Sequence, residues 1–131
     1  MEETSFKITT YQDGNKPKEI IEEVGKLAVD IYENDSNFVI LAPIAGTEKE
    51  NLEIILIEDV LTIKGERKLE EKINEEDFIS KECFWGKFSR SIILPREANS
   101  KKITANFKNS VLKIEIEKET ELGPKQINIS E

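Results

Sequence analysis

The groups that could do chemistry are few. The chain has 131 residues with one cysteine, no histidine and 27 carboxylates. Without histidine, the commonest general base and the commonest metal ligand are missing. Cys83 has no imidazole to activate it and reads as a structural thiol, buried or half-buried. Acid/base work needs a sheltered carboxylate with a tuned pKa. The pairs Glu70-Glu71 and Glu75-Glu76 instead sit in a charged run that reads as solvated surface. Asp30 lies mid-strand and reads as a partner for a basic side chain. No glycine-rich phosphate loop and no metal-ligand spacing occurs. We therefore expect no enzyme, no catalytic or metal residues and no cofactor. A carbohydrate-active sandwich would be the enzyme alternative, but it lacks an identifiable carboxylate pair.

Arg90 is the most informative charge. It shares a strand face with Phe88, Ile92 and Leu94, where a guanidinium is costly unless paired. A structural ion pair is expected, within the sheet or across a dimer interface.

Composition narrows the partners. A net charge of −8 disfavours nucleic acid and anionic membranes. No apolar run approaches a membrane span, the start "MEETSFKITT" lacks a signal-peptide pattern, and a lone cysteine suits a reducing compartment. A cytoplasmic protein is expected.

The elements that position these residues read as short strands. Residues 1–26 form an arm with Phe6, Ile8 and Tyr11, then a turn signal at Asp13-Gly14-Asn15. In "KPKEIIEEVGK", Ile20, Ile21 and Val24 suggest one face of a short helix. "LAVDIYEN" alternates as a half-buried strand. "NDSN" is a turn, and "FVILAPIAG" is apolar on both faces and should be fully covered. Thr47 to Glu50 matches a capping box and predicts one helical turn. "NLEIILI" and "VLTIKGE" form a hairpin around Glu58-Asp59. "GKFSRSIILP" is a strand stopping at Pro95, and "REANSKK" is a turn. "ITANF" and "VLKIEIEK" pair around Asn109-Ser110. Seven or eight short strands with little helix predict an all-β, antiparallel, immunoglobulin-like β-sandwich at residues 27–118. An arm (1–26) and a tail (119–131) flank it.

Two segments do not fit a plain sandwich. The stretch 66–83 is far longer than a hairpin loop, which normally uses two to five residues. Its apolar island, Phe78-Ile79, could form a short strand and pair with the edge near Leu27 to Glu33 of a second subunit. The tail "LGPKQINISE" places Ile127 and Ile129 on one face after a Gly-Pro break, as if to dock elsewhere.

Several of these stretches together resemble the α-crystallin domain of the small heat-shock proteins. "LAVDIYENDSNFVILAPIAG" resembles the family's opening strand pair, and "DVLTIKGER" its next hairpin arm. "GKFSRSIILP" matches G-x-F-x-R-x-x-x-L-P at Gly86, Phe88, Arg90, Leu94 and Pro95. "ITANFKNSVLKIEI" is similar to A-x-x-x-N-G-V-L through Ala105, Asn109, Val111 and Leu112. "INI" looks like the C-terminal I-x-I motif. Three positions depart from the pattern. Ser110 replaces a glycine, Glu117 a proline, and "IAG" the usual Leu-Pro-Gly.

The resemblance implies an ATP-independent holdase. It would bind partly unfolded clients, with Phe6, Ile8, Tyr11, Ile20, Ile21 and Val24 as client-binding candidates. It also implies a strand-exchange dimer through the long loop and higher homo-oligomers. The I-x-I tail of one subunit would dock in a groove of another lined by Ile54, Leu56 and Ala105. The alternative is a co-chaperone-like sandwich that binds a folded protein partner.

Overall fold

The computed structural model describes residues 3–12, 16–119 and 127–130, with 3–12 and 16–22 described as backbone. The turn at Asp13-Gly14-Asn15 and the Gly123-Pro124 break lie outside the described residues. Nine strands form among those described: β1 (Glu3–Gln12), β2 (Lys16–Lys26), β3 (Asp30–Glu33), β4 (Asn37–Pro43), β5 (Leu52–Ile57), β6 (Val60–Arg67), β7 (Gly86–Ile93), β8 (Ala98–Lys108) and β9 (Val111–Lys118). They build two sheets, β1-β2-β7-β6-β5 and β3-β4-β9-β8. Seven of them, β3 to β9, make the expected sandwich, and β1 and β2 extend one sheet as a hairpin.

Alternation explains the core. On β6, Leu61 and Ile63 point in; on β9, Leu112, Ile114 and Ile116 do; on β4, Phe38, Ile40 and Ala42 do. Phe88 and Leu94 close the layer from the strand that ends before Pro95. Each fully buried aliphatic or aromatic side chain contributes about 1.5–3 kcal/mol relative to exposure. Packing is close enough to dictate a glycine. Gly65 pairs with Phe88, and a Cβ there would lie 2.4 Å from Phe88 Cζ. Phe88 therefore fills the space that a side chain at 65 would need. "FVILAPIAG" is fully covered on one face only, at Phe38, Ile40, Ala42 and Ile44, and the expected cover of both faces is corrected. On the other face Leu41 is half-buried, Pro43 and Ala45 are exposed, and the strand ends at Pro43 rather than Gly46, because no second layer lies over that side. Val39 points away from the core but is buried between its cross-strand neighbours Tyr32 and Glu115.

The turns follow from local chemistry. Asn34 Oδ1 accepts from the amides of Ser36 (3.0 Å) and Asn37 (2.8 Å), closing "NDSN". Glu58 turns the β5–β6 hairpin with φ +55°. Asn109 and Ser110 turn β8 into β9 with φ +53° and +61°. Two successive left-handed residues are the hairpin geometry that favours Asn-Gly. Serine holds the second position here against its conformational preference.

Several local expectations are corrected. The predicted helix through Ile20, Ile21 and Val24 is strand β2, paired along its length with β1. Pairing satisfies its backbone, and three β-branched side chains favour the extended form. "LAVDIYEN" is not one strand. Leu27 is buried and Val29 partly so, but 27–29 crosses between the sheets, and β3 is exposed at all four positions. The alternation there records a crossover rather than a continuous ladder. The capping box does not form. Thr47 Oγ1 donates to the Glu66 carbonyl (3.2 Å) instead, and the turn is a 3-10 turn at Lys49–Asn51. "REANSKK" turns only at its start. Strand β8 begins at Ala98 and shifts register between Ala98 and Ile103.

Candidate functional site

With little chemistry on offer, the candidate site is a set of uncovered edges. The crossover 27–29 leads from β2, beside β7, into β3. This stacks β3 over the β2–β7 side of the other sheet. It leaves β8 over β5 at the opposite margin, where both strands are sheet edges. Ile54 and Leu56 on β5 are half-buried against the core, as are Ile103 and Phe107 on β8. Ala105 lies between the latter two on the same face, opposite the fully buried Ile114. It is nevertheless exposed. A methyl where its neighbours have large side chains leaves a notch in the wall. The expected residues Ile54, Leu56 and Ala105 are thus brought to one margin, and Ile103 and Phe107 join them. Those two were missed as groove walls, although their i±2 spacing around Ala105 was the available signal.

The tail leaves its motif open. Ile127 is 83% and Ile129 94% exposed, so the chain does not cover its own motif.

The long loop runs from 68 to 85 and has no strand among its described residues. The predicted strand at the island is absent from the single chain: a 3-10 turn at Glu75–Asp77 precedes Phe78-Ile79, which are irregular. Lys81 ties the turn down, 2.7 Å from Glu75 Oε1 and with Nζ 5.0 Å from the centroid of the Phe78 ring. Ile79 is fully exposed at 104%. A lone segment cannot satisfy a strand's backbone, so an extended form requires a partner edge. The edge expected to receive it, β3, is paired with β4 alone among the described residues.

Three charged or reactive groups sit differently from expectation. Arg90 does not meet a carboxylate within this chain's described residues. Its Nη1 donates to the Leu27 carbonyl at 3.2 Å, because the crossover runs over β7 and turns a carbonyl toward it. Pairing across an interface remains as the expectation for Arg90. Cys83 is exposed on the loop rather than buried, since 83 lies outside the β7 ladder. Asp30 is exposed and has no ion pair among the described residues. Sequence reasoning missed Arg67. Its Nε donates to the Ala45 carbonyl (2.7 Å) and its Nη1 to the Phe84 carbonyl (3.4 Å), fastening the loop's end to the turn after β4. No sequence spacing signals a clamp between such distant segments.

The client-binding candidates divide by register. The β1–β2 pairing puts Phe6, Ile8, Ile20 and Val24 on one face of the hairpin and Tyr11 and Ile21 on the other. No group of three potential metal ligands occurs among the described residues.

Comparison with known proteins follows the same segments. The model of the Hsp20/alpha crystallin family matches residues 30–130. Small heat shock protein C4 of Rickettsia felis is 34% identical over 101 residues, covering 77% of this chain and 62% of that protein. Spore protein SP21 of Stigmatella aurantiaca is 28% identical over 79% of this chain and 61% of its own length. The chain thus spans about three-fifths of these curated relatives. Among solved structures, a small heat-shock protein from Xylella fastidiosa superposes with a TM-score of 0.67 at 34% identity, over 80% of this chain and 96% of that one. The hspA protein of Xanthomonas axonopodis gives 0.64 at 36% identity, over 71% and 93%.

Proposed function

The chain belongs to the Hsp20/alpha crystallin family, and from that premise we propose that it is an ATP-independent holdase of the cytoplasm. It binds partly unfolded proteins through apolar surface and keeps them from aggregating, without a cofactor and without turnover. Its partners are clients and further copies of itself, not nucleic acid or membrane. One observation carries the reading beyond family membership. Large apolar side chains that a solitary sandwich would cover stand open on edges, loop and tail.

The proposed mechanism follows from weak contacts used many times. The island at Phe78-Ile79 pairs with the partner's β3 edge to make the dimer. Ile127 and Ile129 of one dimer fill the notch at Ile54, Leu56 and Ala105 of another. Two buried isoleucines give about 3–6 kcal/mol at most, and ordering the tail consumes part of that. A single contact therefore opens readily. Several closed into one shell hold firmly through effective concentration. The Xylella fastidiosa relative is described as having a distinct high order structure, which supports assembly beyond the dimer. Dimers released by warming would present the arm, with Phe6, Ile8, Tyr11, Ile20, Ile21 and Val24, to clients.

The test is light scattering of several unrelated heat-labile enzymes without nucleotide. Near-stoichiometric amounts of the protein should suppress aggregation. Removing residues 1–25 should weaken suppression while the sandwich stays folded. A sandwich that bound only a folded partner would leave every client aggregating, and that outcome overturns the reading.

A further inference from the structure

One apolar surface belongs to neither the groove, the loop nor the tail. The outer face of the five-stranded sheet carries a rung Ile57–Val60–Ile93 across β5, β6 and β7. Ile57 is 68% and Ile93 74% exposed, and Ile55 and Val60 are half-exposed beside them. The acidic turn Glu58-Asp59 borders this patch. The same sheet carries the β1–β2 hairpin at its other end. Lys26 pairs with the outward-facing Ser89, and Gly25 with the inward-facing Phe88. Even-numbered residues of β2 therefore share the outer side with Ser89 and Ile93. Through the β1–β2 register, that side collects Phe6, Ile8, Ile20 and Val24, with Lys16 and Lys18 toward the hairpin tip.

We propose that the Ile57–Val60–Ile93 patch is the docking site for the arm hairpin of a second copy of this chain. The hairpin of the same chain cannot reach it. Strands β2 and β7 run parallel, so residues before Gly25 lead away from Ile93. Ile93 lies five residues beyond Phe88, and Ile20 five residues before Gly25. At ~3.3 Å per residue each is about 16 Å from the shared rung, on opposite sides of it.

Equal spacing is what a two-fold axis requires. With the axis near Ser89 and two outer faces opposed, Ile20 of each copy falls over Ile93 of the other, and the contact is self-complementary. The same operation carries the basic tip, Lys16 and Lys18, toward the acidic turn Glu58-Asp59. A two-stranded ribbon is marginal in water by itself, and docking supplies the missing cover. This contact between copies exists whether or not the arm also binds clients.

Disulfide trapping tests it on the full chain with Cys83→Ser as background, which removes the native thiol. One protein carries Ile20→Cys and a second carries Ile93→Cys. On mixing and mild oxidation, the mixed cross-link should form about tenfold or more faster than between Ile20→Cys and Lys113→Cys, because docking raises the effective thiol concentration. Lys113 is exposed on the other sheet. The double change Glu58→Lys with Asp59→Lys in the Ile93→Cys protein should slow trapping. Adding Lys16→Glu and Lys18→Glu to the partner should restore it. Trapping no faster than the Lys113→Cys control overturns the proposal. So does faster trapping of Ile93→Cys by Ile127→Cys, which would seat the tail on the patch.

Discussion

Isoleucine behaves in two ways in this molecule. Ile63 and Ile114, on central strands, are 0% exposed, whereas Ile57, Ile79 and Ile127 are 68%, 104% and 83% exposed. The residue type is the same and the hydrophobic drive per unit area is the same. What differs is strand parity and the presence of a second layer. A central strand's inward side chain meets the facing sheet. A side chain on an outer face, a loop or a tail has no facing sheet to cover it, and Ile57, Ile79 and Ile127 are left open. The core isoleucines therefore hold the fold, and the exposed ones are available to other chains. The two groups should separate cleanly when each is altered.

The largest effects are expected on assembly. Replacing residues 68–85 by a short glycine-containing turn should convert dimers to folded monomers. Phe78 and Ile79 represent about 3–6 kcal/mol of gross burial per exchange, before ordering costs. Light scattering reads the mass, and a dimer that survives the replacement refutes strand exchange. The tail comes next. Ile127→Ala with Ile129→Ala should lower the assembly mass toward dimers while the circular-dichroism β signal stays, and Ala105→Gln should do the same by filling the notch. If both variants keep the parent's mass, the tail does not dock there.

The core sharpens the contrast in the opposite sense. Ile63→Ala should cost about 2–5 kcal/mol through lost burial and a cavity. Ile57→Ala should stay within about 0.5 kcal/mol in dilute protein. Urea midpoints compare the two directly, and equal losses would mean that Ile57 is covered within its own chain. The smallest effect is at the β8–β9 turn. Ser110→Gly removes a left-handed serine and should raise stability by about 0.5–1 kcal/mol, strain relief outweighing glycine's entropy. A lowered melting temperature would show that the serine is not strained.

Much of the sandwich was legible because its strands carry their pattern locally. Leu112, Ile114 and Ile116 alternate with Lys113, Glu115 and Glu117, and that fixes a face without knowledge of the partner sheet. The margin of β5 and β8 was reached through the family resemblance, which singled out Ile54, Leu56 and Ala105. Ile103 and Phe107 were added to that margin only once their face was known. The arm was misread because Ile20, Ile21 and Val24 fit a helical face as well as a strand. Pairing with β1 decided between them.

By itself, the sequence determined the all-β class, the succession of the sandwich strands along the chain, the shared face of Phe88, Ile92 and Leu94 on β7, the inward residues of β9, and the tail motif. Each is written in short-range alternation and turn chemistry. Only the tertiary structure decided which strands became edges, that residues 27–29 cross between sheets, that Arg90 meets the Leu27 carbonyl, and that Arg67 clamps the loop. It also decided that Ile57 and Ile93, more than thirty positions apart, share one open rung. These are relations between distant segments. They are set by which sheet covers which face, and no local spacing encodes that.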